Sequence, residues 1–284
     1  MSSDFHIVPL ACGGFSVRSE VYGETMHCGI GPEKEAQSLY VEQLNTVDRL
    51  KAEKSLTLWD IGLGAGANTF AAFSACKNVA GHLTVISFDR SLEPIQLACA
   101  SADKLPYVKG YEAATEVLLS KGKFEGFFDD LQVTWQVVQD DFSKWIHSPA
   151  AKQAPAPQLI FFDAYSASKN PEMWAVPIFK FLYEKCQFSQ TTLATYSRSA
   201  SARTSLLAGG FFVGRGQATG LKEETTVAAS NLSLLKSPFD HTWLSKLHRS
   251  SAAEPLWTAE YIKQPLTPKT LQLLESHPQF LNKG

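Results

Sequence analysis

The sequence contains no run of about twenty apolar residues, and its opening Met1-Ser2-Ser3-Asp4 lacks the basic-then-apolar pattern of an export signal. Both absences point to a cytoplasmic protein. Cysteine is sparse: Cys12, Cys28, Cys76, Cys99 and Cys186 are odd in number and never spaced as C-x-x-C. That excludes a disulfide framework and a thiolate metal site, so the five read as buried or incidental thiols and no metal is expected. An excess of one charge is missing too, since 26 Lys and Arg face 28 Asp and Glu for a net charge of −2. A dedicated nucleic-acid binder is usually more basic, because neutralising phosphates drives its affinity. Any such partner must be met by a local patch.

What is present is an ordinary globular composition, 44% hydrophobic and 19% charged over 284 residues, enough for one large domain with small appendages. Residues 5–22 alternate around Cys12-Gly13-Gly14, which predicts a β-hairpin turning at the glycines. Pro32 opens a helical stretch whose Leu39, Tyr40, Gln43, Leu44, Val47 and Leu50 share one face. From residue 56, apolar runs at 56–61, 83–88, 133–138, 158–162, 191–196, 210–214 and 225–229 alternate with helical candidates near 66–77, 92–103, 111–121, 171–187 and 199–208. Alternation of this kind predicts an α/β domain with a mostly parallel, seven-stranded sheet. The last two runs lie too close together for a helical crossover and should pair as an antiparallel hairpin. A parallel sheet finishing in such a hairpin has the Rossmann-like outline of class I methyltransferases. The expected organisation is an N-terminal hairpin and helix extension over 1–55, a catalytic domain over 56–230, and a partly helical tail over 231–284.

The run 56–61 ends in L-W-D-I-G-L-G-A-G-A-N-T, setting Gly62, Gly64 and Gly66 on a strand-to-helix turn where a ligand can lie against bare backbone. Gly62, Gly64 and Ala67 also fit the dinucleotide pattern G-x-G-x-x-G/A. Asp60, two positions before the first glycine, points away from NAD, since a carboxylate suits an ammonium group better than a pyrophosphate. Asp89 ends the next strand, placed either to accept from ribose hydroxyls or to cap the helix near Leu92. Asp140 or Asp141, in V-V-Q-D-D-F, stands where an adenine amino group or another helix cap would be served. Asp163 ends the run Gln158–Phe162 and leads into D-A-Y-S-A-S-K-N-P-E-M-W. A carboxylate at that strand end can orient an amine for in-line methyl transfer, or it can tie down its own loop; Tyr165 can wall the site or stack on a base.

D-A-Y-S-A-S-K-N-P-E-M-W resembles the D-x-F-x-P-x-K-N-P-x-M-W motif of the MnmC/MnmD methyltransferases. D-I-G-L-G-A-G-A-N, V-I-S-F-D-R, T-Y-S-R-S-A-S-A-R-T-S-L-L-A-G-G-F and the early Gly23-Glu24-Thr25 resemble further motifs of that family, in the same order, over roughly residues 15–230. The resemblance implies S-adenosylmethionine as cofactor and, as substrate, the 5-aminomethyl group of a tRNA wobble uridine. It implies Asp163 as the residue orienting the amine, with Glu24, Asp60, Gly62, Gly64, Gly66, Asp89, Asp140 and Asp141 at the cofactor. Tyr165, Lys169, Asn170, Arg203 and Lys222 would meet the substrate, Arg203 either reaching towards RNA or holding the fold. It also implies a stand-alone enzyme without the oxidase domain of some relatives, served upstream by separate FAD-dependent or GTPase tRNA-modifying enzymes.

The chain departs from the family where cations are expected. A-T-G-L-K-E-E-T at 218–225 replaces G-F-G-x-K-R-E-M, and Ala202-Arg203-Thr204 replaces V-R-R. Lys169, Arg198, Arg203, Arg215 and Lys222 remain as a candidate patch, with Lys236, Lys246, His248 and Arg249 beyond it. Two other readings therefore stand beside the tRNA enzyme: a methyltransferase for another amine, small or protein-borne, and a non-catalytic module that keeps the fold. His27, His241 and His248 are read as structural or exposed.

Overall fold

A computed structural model describes residues 4–27, 29–218 and 223–281. Strands β1 (Phe5–Pro9) and β2 (Phe15–Ser19) form the expected antiparallel hairpin, with Gly13 and Gly14 both at positive φ in its turn. A short third strand, β3 (Glu24–Thr25), adds to β2 and carries the chain towards the main sheet.

The helical stretch that follows is not continuous. It runs as an α-helix at Pro32–Ala36, widens to a π-helix at Gln37–Glu42, and restarts at Thr46–Glu53 after Asn45 takes φ 52°. Asn is among the few residues that tolerate the left-handed region, so the break falls where it costs least. The expected face survives the break: Leu39, Tyr40, Gln43, Leu44 and Leu50 are buried.

The main sheet comprises β4 (Ser55–Ile61), β5 (Gly81–Asp89), β6 (Lys123–Phe128), β7 (Leu131–Gln139), β8 (Leu159–Phe162), β9 (Thr192–Thr195), β10 (Phe212–Gly216) and β11 (Thr225–Ala229). Their order is β10-β11-β9-β8-β4-β5-β7-β6. The centre is parallel, from β9 through β8, β4 and β5 to β7. The β10–β11 hairpin closes one side antiparallel, as expected. The sheet has eight strands rather than seven, because β6 pairs antiparallel with β7 at the other edge. Its K-F-E-G-F-F sequence alternates exposed and half-buried, and the tight turn to β7 rests on Asp129 at φ 51°, without a glycine to announce it.

The chain leaves β4 for β5 on one side and returns through β8 to β9 on the other, so the carboxyl ends of β4 and β8 flank the point where the strand order reverses. Open α/β sheets bind ligands in that crevice. Ala67–Cys76, the helix leaving β4, is buried nearly all round because the Pro32–Glu53 segments cover its outer face. The candidate helix at 171–187 divides into a 3₁₀ turn, Pro171–Trp174, and an α-helix, Val176–Cys186, with Ala175 extended between them. Beyond β11, Trp243, Leu244, Leu247 and Phe280 join the same apolar core as Phe211 and Val213. Gln279 fastens that segment by accepting from Val213 N and donating to Val213 O and Phe239 O. No described helix is long and apolar enough to cross a membrane.

Candidate active site

A cleft of about 440 Å³ opens over the carboxyl ends of β4, β5 and β8, roofed by the segment Tyr22–His27. Its floor is the glycine turn. Gly62 N and Leu63 N both donate to Phe88 O, which folds the turn over the end of β5. Gly62 has φ 98°, and a Cβ there would lie 2.6 Å from Asp163 O, so only glycine lets the two strand ends approach. Gly64, φ 50°, meets the roof instead, where a Cβ would lie 3.1 Å from Met26 Sδ. Gly66 lies outside the cleft: it caps the helix Ala67–Cys76 in the left-handed region, with the Phe70 ring where a side chain would go.

The acidic candidates separate by direction. Asp89 lines the cleft, its Oδ2 accepting from Gly64 N at 2.8 Å and its Oδ1 from Ser91 N at 3.1 Å. Burial raises its pKa even though these bonds oppose the shift. Each carboxylate oxygen keeps a second lone pair with which to accept from a ligand hydroxyl. Asp140 also lines the cleft, whereas Asp141 does not: its Oδ1 caps the helix Phe142–Trp145 through Ser143 N, and its Oδ2 pairs with Arg90 at 2.8 Å. Although partial burial opposes it, Ser143 and Arg90 hold the Asp141 carboxyl below the usual range.

Asp60 corrects an expectation. It is fully buried beneath the turn, accepting from Thr69 Oγ1 at 2.6 Å and Ser87 Oγ at 3.2 Å, and it reaches no ligand space. Strand alternation turns its side chain inward while the chain on either side continues to the cleft. Burial pushes its pKa to about 7.

Asp163 stands at the centre. Its backbone N donates to Ile61 O, pinning it to the end of β4, and its side chain borders the cleft. Oδ2 accepts from Asn68 Nδ2 at 2.8 Å and lies 3.5 Å from His27 Nε2. Tyr40 is buried against the same strand end, and burial first, the Asp163 carboxylate second, raise its pKa well above the ordinary tyrosine value. Downstream, Glu24 accepts from both Ser166 N and Ser166 Oγ, tying β3 to the Asp163 loop. Tyr165 lines the cleft and stacks on Tyr22 at 4.0 Å; Asn170 is buried beside it. Arg90 braces the rim, bonding Tyr22, Asp141 and Glu172.

Two substrate candidates fall elsewhere. Lys169 is exposed and does not line the cleft. Arg203 is buried under the β10–β11 hairpin, paired with Glu224 at 2.8 Å, bonded to Thr226 Oγ1 and Thr225 O, and stacked on Phe239. Of its two expected roles, it holds the fold. Lys222 lies outside the described residues. The sequence did not single out Asn68, Tyr22, Met26, Tyr40 or Arg90, and it set His27 aside. Asn68 follows the glycine turn directly, and that proximity was its one local signal.

The residues fit an adenosyl cofactor: two glycines offer bare backbone, Phe88 and Phe142 supply apolar wall, and Asp89 and Asp140 supply acceptors. Residues 112–231 match the family described as S-adenosyl-L-methionine-dependent methyltransferase. The crystal structure of MNMC2 from Aquifex aeolicus is 26% identical and aligns over 97% of this chain and 84% of that one, with a TM-score of 0.70. This chain is an S-adenosyl-L-methionine-dependent methyltransferase with the fold of MNMC2. The methyltransferase is also 24% identical over 214 residues to the tRNA 5-methylaminomethyl-2-thiouridine biosynthesis bifunctional protein MnmC of Burkholderia mallei (strain SAVP1), and equally to that of Burkholderia pseudomallei (strain 668). The match covers 69% of the methyltransferase and 31% of those proteins, so the chain spans about a third of their length. Among the described residues, no group of three or more His, Cys, Asp and Glu is placed to hold a metal ion.

Proposed function

We propose that the methyltransferase methylates the 5-aminomethyl group of a tRNA wobble uridine, giving 5-methylaminomethyl-(2-thio)uridine, and works in the cytoplasm where tRNA is modified. The observation that carries this reading is the Asp163 carboxylate, fixed by Asn68 at the switch point and opening onto the cleft beside the K-N-P-E-M-W loop. The names of the curated relatives supply the acceptor.

When bound, the cofactor would supply an electrophilic methyl group for transfer to an amine. The chain's own residues have three tasks. Asp163 accepts hydrogen bonds from the amine and sets the direction of its lone pair, a gain by positioning. Met26 and Tyr165, on roof and wall, exclude water. Asp89, Asp140, Gly62 and Gly64, which line the cleft, would hold the adenosyl part.

A second reading, methylation of another amine, is favoured by the burial of Arg203 and by Glu223 within the altered 218–225 loop, which leave Arg198, Arg215 and Lys169 among the exposed cations of the described residues near the loops. Labelled methyl transfer separates the two: undermodified tRNA should take the label and a pool of small amines and proteins should not. Label appearing only in the pool overturns the tRNA reading.

A further inference from the structure

We propose that His27 is the group that receives, by way of Asp163, the proton the acceptor amine must lose. The assignment rests on the amine-methylation reading above and deepens it.

His27 belongs to the roof, not to the sheet. It follows β3 and Met26, its side chain is 9% exposed, and its Nε2 lies 3.5 Å from Asp163 Oδ2. Its φ is 49°, in the left-handed region that non-glycine residues seldom occupy. Such a conformation costs roughly 1–3 kcal/mol and persists where the surroundings over-determine it. Here they do: Ser16 Oγ donates to Met26 O, Met26 N donates to Val17 O, and Glu24 is anchored on Ser166. The hairpin β1–β2 thus holds an imidazole against the Asp163 carboxylate.

The chemistry requires a proton sink at this point. An alkylamine arrives as an ammonium ion and has no lone pair until an N–H bond breaks. That bond's electron pair stays on nitrogen, and the proton leaves along the hydrogen bond to Asp163. A carboxylate of ordinary acidity, near 4, is a weak base for the task, while an imidazole, near 6.5, is matched to neutral pH. The Asp163 carboxylate takes the proton from the amine and hands it on to His27 Nε2, returning to its starting state, and the imidazolium releases the proton to water at the cleft mouth. Asn68 on the same oxygen keeps the carboxylate from rotating away.

The other groups facing this space do not replace it. Glu24, Glu35, Asp89 and Asp140 are carboxylates, and Arg90 is committed to Asp141 and Glu172. Tyr40 and Tyr165 are pushed up by burial and stay protonated. Tyr196 donates to Ala164 O, and Tyr22 accepts from Arg90.

The test uses His27→Asn, since Asn tolerates left-handed backbone and cannot titrate, with His27→Gln as a second variant. Steady-state turnover on undermodified tRNA should fall about 100-fold or more in both, and the acid limb of the kcat profile should vanish. KM for tRNA and calorimetric affinity for S-adenosylhomocysteine should stay within twofold. Independently of activity, the ring titration of His27 followed by nuclear magnetic resonance should move when Asp163 is replaced by Asn. Turnover within threefold of the unmodified protein with the acid limb retained, loss of S-adenosylhomocysteine binding in both variants, or a ring titration indifferent to Asp163→Asn each overturns the proposal. If the unmodified protein transfers no methyl group to tRNA, the proposed function fails, and the resonance titration still decides whether His27 and Asp163 act as a pair.

Discussion

At Gly62 two requirements meet in one residue: φ 98°, and the backbone of Asp163 where a Cβ would be. Gly62→Ala should cost roughly 2–3 kcal/mol, because the alanine must either leave its preferred backbone region or push the Asp163 loop outwards. A lower melting temperature and a weaker calorimetric response to S-adenosylhomocysteine should appear together. Intact affinity would mean the turn does not carry the cofactor. The position of Asp163, Gly62 and Gly64 at the cleft was legible in sequence because they follow closely on apolar runs, and such strand ends gather on one edge of an α/β sheet, whereas Gly66 turned out to cap the next helix. Asp60 was misleading for the same reason. It too sits at a strand end, one step earlier, and strand alternation sends it to Thr69 and Ser87. His27, Tyr22 and Arg90 were illegible because their partners are far away in sequence, as with Arg90 to Asp141, His27 to Asp163 and Tyr22 to Tyr165.

Among elements, the β10–β11 hairpin decides what Arg203 does. The helix Ala200–Ala208, capped by Ser199 Oγ on Ala202 N, aims Arg203 at the hairpin's underside, where Glu224, Thr226, the Thr225 carbonyl and the Phe239 ring enclose it. Arg203→Ala removes the buried donor to that carbonyl and leaves Glu224 with Arg215 alone, at a cost of about 2–4 kcal/mol. Thermal unfolding should shift down by several degrees, while tRNA affinity at a temperature where the variant is folded should change less than twofold. A large affinity loss in a folded variant would return Arg203 to the RNA surface. Edge pairing also explains what the sequence hid in the fold. The central strands are apolar because both faces are covered, whereas β6 at the edge alternates exposed and half-buried, and Gly126 on its inner side with an exposed Phe127 hides that period in the sequence. The helix at 32–53 hid its break because the apolar face continues across Asn45.

For the whole molecule, Asp60 links stability to pH. Its pKa is about 7 in the folded protein against 3.8 for an ordinary aspartate, so the folded state holds a proton that the unfolded chain gives up. This contribution is fully present below about pH 4 and is lost as pH rises through about 7, at roughly 1.4 kcal/mol per unit. Asp60→Asn removes the dependence, so its stability relative to the unmodified protein should improve steadily from pH 5 to 7 and level off above. Denaturant melts at several pH values measure this, and parallel curves would show that Asp60 is ionised in the fold. A net charge of −2 places any RNA contact in local patches, through such exposed residues as Lys169 and Arg198.

The central claim, that Asp163 directs an amine on tRNA rather than holding the cofactor, is tested most directly by Asp163→Ala. Turnover on tRNA carrying the unmethylated aminomethyl uridine should fall by about 100-fold or more, with S-adenosylhomocysteine affinity within a few fold. Undiminished turnover, or affinity and turnover lost in proportion, would contradict it.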